Sequence, residues 1–210
     1  QGYSSAASDV YKRQYLLFLN NDVEIITESW LEEMLQLCQQ KDVGMAGAKL
    51  YYPDDTIQHA GVVVGLGGVA AHVLCKLPRD AEGYMGRLRC VQEISAVTAA
   101  CMMVKTSVFK AVGGFDEELK VAFNDIDLCM KVRKYGVKIV FTPYAELYHY
   151  ESKSRGMEDT PEKQLRFSRE VNCFRRKWER ELLKGDPYYN PNLTLNNTDC
   201  SLRKQEKNGD

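Results

Sequence analysis

The chain has 210 residues, and its 28 Lys and Arg against 29 Asp and Glu give a net charge of −1. Hydrophobic residues make up 44% of it and charged residues 27%, which supports a globular domain with a sizeable core. The balanced charge argues against the basic surface that duplex nucleic acid requires, so we expect no nucleic-acid partner. Neither an apolar run long enough to span a bilayer nor a signal peptide is apparent, which predicts a cytoplasmic protein.

The ends of the chain differ from its middle. Residues 1–14 have no periodicity and meet an apolar run at Tyr15 without a turn between them. We therefore expect 1–14 to be a non-native, artefactual segment, 15–185 to be the domain and 186–210 to be a C-terminal tail, disordered after Arg203. The seven cysteines contain no C-x-x-C pair and are expected to stay reduced.

The predicted elements alternate between strands and helices. The apolar run 15–19 is typical of a strand covered on both faces in a parallel sheet, and Ser29 with Glu32 makes a capping-box pattern before an amphipathic helix. That helix has its apolar stripe at Leu31, Met34, Leu35 and Cys38. Further strands are predicted at 43–52, 56–65, 95–104 and 138–141, and helices from 107 and over 124–135. The alternation predicts an α/β fold, a mixed sheet with flanking helices.

Two segments have special patterns. Residues 65–93 are rich in glycine and weakly periodic, which predicts a long mobile loop. A long helix begins at Pro161, with an apolar stripe at Phe167, Val171, Phe174, Trp178 and Leu182. Its many charged residues, Glu170 among them, predict a solvated face, and a modest basic excess would also suit peripheral contact with anionic lipid.

Three polar residues, Asn20, Asn21 and Asp22, follow the first predicted strand. Ligands of open α/β sheets bind beyond the carboxyl ends of strands, so a site is expected here. One interpretation is an Asx turn that binds nothing. The other is a carboxylate that holds a divalent cation on a diphosphate, because such cations keep few protein ligands and complete their shell with substrate phosphates.

A second cluster, Asn124-Asp125-Ile126-Asp127, begins the helix predicted over 124–135. Helix formation explains part of it, with Asn124 as the N-cap and Asp127 at the third position of a capping box. Asp125 would gain only about 0.3–1 kcal/mol from the helix dipole. A carboxylate on the first turn, at the active edge of the sheet, could instead accept a proton from an attacking hydroxyl.

His149 lies between two tyrosines after a strand-like segment. A histidine beside aromatic residues can be a hydrogen-bonded structural residue. Imidazole is also a frequent metal ligand, so a metal site is the second interpretation. Trp30 and Trp178 fit helix stripes and are predicted to lie in the core.

Four motifs, in this order, resemble those of family 2 glycosyltransferases of bacteria. They are YLLFLNNDVE at 15–24, VTAACMMVKTSVFKAVGGFDE at 97–117, FNDIDLCMKVRKYG at 123–136 and YHYESKSRG at 148–156. The likeness runs from about residue 15 to about residue 203. It implies an inverting enzyme with the Rossmann-like GT-A fold. Such an enzyme moves a sugar from a nucleotide-diphosphate donor to a glycan or polyprenyl-linked acceptor in cell-surface polysaccharide synthesis.

The resemblance implies a metal site. Asn20, Asn21 and Asp22 are similar to the family's Asp-x-Asp motif, with Asp22 as the ligand of the cation, Mn²⁺ or Mg²⁺, and through it of the donor diphosphate. Asn20 replaces the motif's first carboxylate. His149 is similar to a late histidine that completes the metal shell in some members of the family.

The resemblance also implies a catalytic side. Asp125 matches the general base of a Glu-Asp pair in which Asn124 replaces the Glu. Gly114, Phe115 and Asp116 would lie against the donor and acceptor sugars, while a glycine-enabled turn with a buried Phe explains them equally well.

One part of the family pattern is missing before Tyr15, namely the strand and helix that carry the nucleotide-base pocket. We therefore expect the catalytic and acceptor-side part of a GT-A domain, inactive by itself. A nucleotidyltransferase of related fold and an inactive fragment or non-catalytic binding module remain open. A glycoside hydrolase is less well supported, because no second carboxylic acid with a raised pKa can be identified.

Overall fold

The structure is a computed structural model that describes residues 13–150 and 160–204. Its strands are β1 Tyr15–Leu19, β2 Val23–Ile25, β3 Val43–Tyr51, β4 Ile57–His59, β5 Val62–Val64, β6 Ala70–His72, β7 Gln92–Glu93, β8 Cys101–Lys105 and β9 Lys138–His149. Its helices are α1 Trp30–Gln39, α2 Thr106–Ala111, α3 Asn124–Tyr135, α4 Pro161–Lys177 and α5 Glu179–Lys184. Short 3₁₀ turns lie at Leu66–Gly68 and Tyr84–Arg89.

A mixed sheet organises the chain, as the sequence predicts. Its strand order is β1-β8-β3-β9-β2, with β4 joined to β3 and β7 joined to β9, while β5 and β6 form a separate ribbon. Strands β3 and β9 are parallel, and the other pairs are antiparallel. Every residue of β3 is buried, because helix α1 packs on one face of the sheet and a larger core that includes α3 and α4 lies on the other.

Strand β1 differs from the prediction of a parallel strand covered on both faces. It pairs antiparallel with β8, and no other strand in the described part of the chain pairs with it. Leu17 is 37% exposed, whereas Leu16 and Phe18 are half-buried. The run is apolar at every position, so the sequence does not reveal which face is covered.

The buried face of helix α1 overlaps the predicted stripe at Met34 and Cys38 but is rotated away from Leu31. Its buried residues are Trp30, Met34, Leu37 and Cys38, whereas Leu31 is 40% exposed. Ser29 precedes the helix, but its side chain makes no capping hydrogen bond, so the predicted capping box does not form. Trp30 packs in one apolar cluster with residues of β3, β8 and β9.

The segment 65–93 is not the loop that the sequence predicts. It contributes β6, two 3₁₀ turns and the buried side chains of Leu66, Val73, Leu74 and Leu88 to the core. Residues 186–204 cover it, with Leu74 N–H donating to Thr198 O at 2.6 Å and Gly67 N–H donating to Leu195 O at 2.8 Å. The apolar residues of the segment therefore pack against the C-terminal residues rather than following a helix or strand period.

Several other strands and helices have boundaries that differ from the predicted ones. The predicted strand 56–65 divides into β4 and β5 at Gly61, whose φ is +102°, and the strand predicted over 95–104 is confined to β8. The predicted strand 138–141 continues to His149, and the last helix divides at Trp178 into α4 and α5. Residues 1–12, 151–156 of the fourth motif and 205–210 lie outside the described residues.

The buried tryptophans and the free cysteines agree with the sequence predictions. Trp30 and Trp178 are buried, and all seven cysteines are free. Burial raises the pKa of Cys38 to about 12, which keeps its thiol protonated. Across 13–150 and 160–204, no helix combines the length and the apolar character that a membrane span requires.

Candidate active site

The structure brings Asn20, Asp22 and His149 together. Pairing of β2 with β9 sets Val23 opposite His149, and Tyr150 N–H donates to Asp22 O at 2.9 Å. His149 Nε2 lies 3.0 Å from Asn20 Nδ2 and 3.3 Å from Asp22 Oδ1. The side chains of Asp22 and His149 are about nine-tenths buried, with exposed fractions of 13% and 11%. Asn21, which lies between Asn20 and Asp22 in the sequence, is exposed in the turn.

Gln58 fixes the orientation of the His149 ring. Gln58 Nε2 donates to His149 O at 3.2 Å, which assigns Oε1 as the atom 2.7 Å from His149 Nδ1. An amide oxygen only accepts, so the proton of the neutral ring is on Nδ1 and the lone pair is on Nε2. Sequence reasoning missed Gln58, which resembles any other polar residue of a short strand.

The donor atoms suit a divalent cation. His149 Nε2, which lies beside the Asn20 amide, is also 3.3 Å from Asp22 Oδ1, so a ring nitrogen and a carboxylate oxygen lie close together. A cation between these two atoms would be bound by both. No group of three or more His, Cys, Asp or Glu side chains in the described ranges is arranged to hold a metal, so phosphate oxygens or waters would have to complete the shell.

A short loop connects this cluster to Asp125. Asn20 N–H donates to Ala100 O at 3.0 Å. One residue earlier, Ala99 N–H donates to Asp125 Oδ2 at 3.1 Å. Asp125 is half-buried, and its Oδ1 accepts from Ile126 N–H at 2.9 Å. The two predicted halves of the site are therefore joined through adjacent residues of one loop.

The start of α3 differs from the predicted capping arrangement. Phe123, not Asn124, is the N-cap residue, with φ at +62°, and Asn124 is the first residue of the helix. The Asn124 side chain accepts from Asp125 N–H at 2.7 Å. Asp127 does not cap the helix, because its buried Oδ1 lies 2.8 Å from Trp178 Nε1. Asp127 therefore makes a tertiary contact in place of the helix-capping contact that the local sequence predicts.

The turn at Gly114, Phe115 and Asp116 lies beside β1. Phe115 packs edge-on against Phe18, with the ring centroids 4.9 Å apart. Phe18 is the second residue before Asn20. Gly114 has φ at +66°, and a Cβ there would lie 3.0 Å from the Phe109 ring. A hydrogen bond from Lys177 holds the pKa of Asp116 below its usual range. The turn contacts the strand that leads into the site, but these contacts are equally those of a packed turn.

The remaining histidines of the chain, His59 and His72, lie nearby, and no pattern in the sequence selects them. His59 is fully buried, its Nε2 accepts from Thr98 N–H at 3.4 Å, and its Nδ1 lies 3.3 Å from His72 Nδ1. Burial, reinforced by His72 and His149, holds the pKa of His59 well below its usual value. His59 is therefore a neutral residue that supports the loop before Ala99.

Comparison with known proteins decides the family. The profile of a glycosyltransferase-like family matches residues 1–170. The chain belongs to this family. Its fold is GT-A: the crystal structure of GalNAc-T7 with UDP, GalNAc and Mn²⁺ superposes with a TM-score of 0.57 at 14% identity, over 85% of this chain and 34% of that one.

Two bacterial relatives are longer. An uncharacterized protein, y4gI, of Sinorhizobium fredii (strain NBRC 101917 / NGR234) is 54% identical over 200 residues, which are 95% of this chain and 22% of that protein. The O-antigen biosynthesis protein RfbC of Myxococcus xanthus is 40% identical over 198 residues, which are 94% of this chain and 15% of that protein. This glycosyltransferase domain thus spans less than a quarter of either relative.

Proposed function

We propose that this chain carries the catalytic and acceptor-side part of an inverting glycosyltransferase that builds a cell-surface polysaccharide. Its donor would be a nucleotide-diphosphate sugar and its acceptor a glycan or polyprenyl-linked saccharide. The observation that supports this best is the link from Asn20 through Ala100 and Ala99 to Asp125, because it joins the proposed cation ligands to a carboxylate through one loop.

Asp22 and His149 would hold the cation. When bound there, Mn²⁺ or Mg²⁺ would neutralise the charge that develops on the leaving diphosphate. Asp22 supplies the negative charge, and Gln58 keeps the lone pair of His149 directed to the same place. Asn20, which replaces a carboxylate of the family motif, would adjust the charge of the site and bind through its amide.

Asp125 would act as the general base. Ala99 N–H and Ile126 N–H each donate to one of its oxygens, so the carboxylate is fixed while lone pairs remain to accept a proton. An acceptor hydroxyl that gives up its proton to Asp125 can attack the anomeric carbon on the face opposite the diphosphate, which inverts the configuration. Gly114, Phe115, Asp116 and Asn124 would border the sugars.

Two further observations concern the product and the cellular location. The relation to an O-antigen biosynthesis protein supports a polysaccharide product. Two exposed basic residues of the last turn of α4, Arg175 and Arg176, would allow peripheral contact with anionic lipid at the inner face of the plasma membrane.

Because this chain is expected to be inactive by itself, the test is an assay of an extended protein that also carries the strand and helix expected before Tyr15. It is assayed with a panel of UDP-, GDP- and dTDP-sugars, with and without Mn²⁺. Release of nucleoside diphosphate identifies the donor, and ¹H NMR of the freshly formed anomeric centre reports its configuration. We expect cation-dependent release with inversion for one donor class. Retention of configuration would overturn the proposed mechanism, and cation-independent release would overturn the proposed role of Asp22.

A further inference from the structure

We propose that Glu170 of α4 is a positioning residue for Asp125, acting through the loop before α3. Sequence reasoning assigned Glu170 to a solvated face, yet it is only 3% exposed. The inference rests on the proposed role of Asp125 as general base, and it adds the element that holds this base in place.

Glu170 binds three consecutive backbone N–H groups. Its Oε1 accepts from Lys120 at 3.0 Å and from Val121 at 3.1 Å, and its Oε2 accepts from Ala122 at 2.9 Å. Successive N–H groups that converge in this way form a concave anion-binding surface. Both oxygens must accept, so a carboxylate fits, whereas an amide would place its NH₂ group against one of the N–H donors.

The next residue, Phe123, adopts a conformation that needs outside support. Its φ of +62° is uncommon for a bulky side chain and costs of the order of 1–3 kcal/mol. Its ring packs against Phe167 and Phe174 of α4, with centroid distances of 5.8 and 5.4 Å. These two residues lie on the same face of α4 as Glu170, so one helix face holds both the loop and the residue that redirects the chain into α3.

Helix α4 and the residue after it also hold the far side of Asp125. Lys177 Nζ and Trp178 Nε1 each lie 2.8 Å from Asp127 Oδ1. Residues 120–123 and 127 are therefore fixed to one segment, and Asp125 lies between them. Since a displacement of about 1 Å at a reacting group can cost about 10²-fold in rate, the loop contacts control catalysis without touching a substrate.

The first experiment needs no substrate. Residue-resolved amide exchange is measured by NMR for the wild type, for Glu170→Gln, and for Glu162→Gln, an exposed residue of the same helix that serves as the matched control. We expect Glu170→Gln to speed exchange at Ala122 and also at Ala99, whose N–H donates to Asp125, by about tenfold or more. The Asp125→Ala variant gives the rate for full loss of that bond. Unchanged exchange at Ala99 would overturn the proposal.

The second experiment uses the extended protein and the donor identified above. Glu170→Gln should lower turnover by about 10–10²-fold and leave binding of Mn²⁺ with the nucleoside diphosphate unchanged. The double variant Glu170→Gln with Asp125→Asn should be no slower than Asp125→Asn alone, because both changes remove the same function. Normal turnover of Glu170→Gln, weakened nucleotide binding or multiplied losses in the double variant would each overturn the proposal. Normal turnover of Asp125→Asn would instead remove the general base, and the inference with it.

Discussion

Asn20 Nδ2 lies 3.0 Å from His149 Nε2, although 129 residues separate them in the sequence. Two strand pairings produce this contact: β1 with β8 fixes Asn20 beside Ala100, and β2 with β9 fixes Asp22 beside His149. Both ligand candidates are thus placed by backbone hydrogen bonds rather than by flexible loops, which favours a preformed site.

The first prediction concerns the cation ligands. Asp22→Ala should weaken binding of Mn²⁺ with a nucleoside diphosphate more than His149→Ala does, because Asp22 supplies the negative charge and water can replace an imidazole. Isothermal titration with UDP, GDP and dTDP, with and without Mn²⁺, measures this. Glu28→Ala, an exposed residue before α1, is the control and should bind normally. Equal affinity of Asp22→Ala and the wild type would rule out the assigned ligand.

A second prediction concerns Gln58. Gln58→Leu removes the acceptor for His149 Nδ1–H, so the ring loses its fixed orientation. Loss of such a supporting bond should lower Mn²⁺ affinity by about 10–100-fold. Gln36→Leu on the exposed face of α1 is the matched control. If Gln58→Leu binds Mn²⁺ as the wild type does, the ring orientation does not matter.

A third prediction concerns pH and stability. Burial lowers the pKa of His59 in the folded protein, so only the unfolded chain binds this proton just below pH 6.5. The free energy of unfolding should therefore fall as the pH falls, with His59 contributing about 1.4 kcal/mol between pH 7.5 and 5.5. Measured by urea unfolding, the free energy of unfolding of His59→Gln should fall between pH 7.5 and 5.5 by about 1.4 kcal/mol less than that of the wild type. Parallel pH profiles for the variant and the wild type would contradict the assignment.

A fourth prediction concerns the C-terminal residues. Asp186 is buried and accepts from Val64 N–H at 2.8 Å, and Tyr189 and Leu193 are buried after it. Asp186→Ala leaves a buried N–H without its partner and should lower the free energy of unfolding by about 1–3 kcal/mol. Thermal unfolding measures the change, with the exposed Asp80→Ala as the control. An unchanged midpoint would show that the hydrogen bond from Val64 to Asp186 adds nothing to the stability of the domain.

Local pattern predicted some elements well. Helix α3 begins at Asn124 and ends before Gly136, as predicted, because its period and its glycine end are local signals. Strand β3 also falls within one residue of its predicted end. The α/β class, the mixed sheet and the family followed from such signals and from motif order.

Long-range contacts could not be predicted from the sequence. The direction of β1 depends on β8, more than 80 residues later, and the burial of Glu170 depends on the N–H groups of residues 120–122. Gln58 and His59 join the site only after β4 pairs with β3. The predicted Asn20, Asp22 and His149 lie together, yet their roles and that of Asp125 stay predictions.

The most direct test of the account is the turnover of Asp125→Asn in the extended protein, with the identified donor, Mn²⁺ and acceptor. It is measured beside the wild type and the exposed control Asp80→Asn. The amide keeps the shape of the carboxylate but cannot take the acceptor's proton. We predict a loss of about 10²–10⁴-fold in turnover with unchanged binding of the nucleoside diphosphate. Turnover within a few-fold of the wild type would contradict the account, because the site would then lack the base that inverting sugar transfer requires.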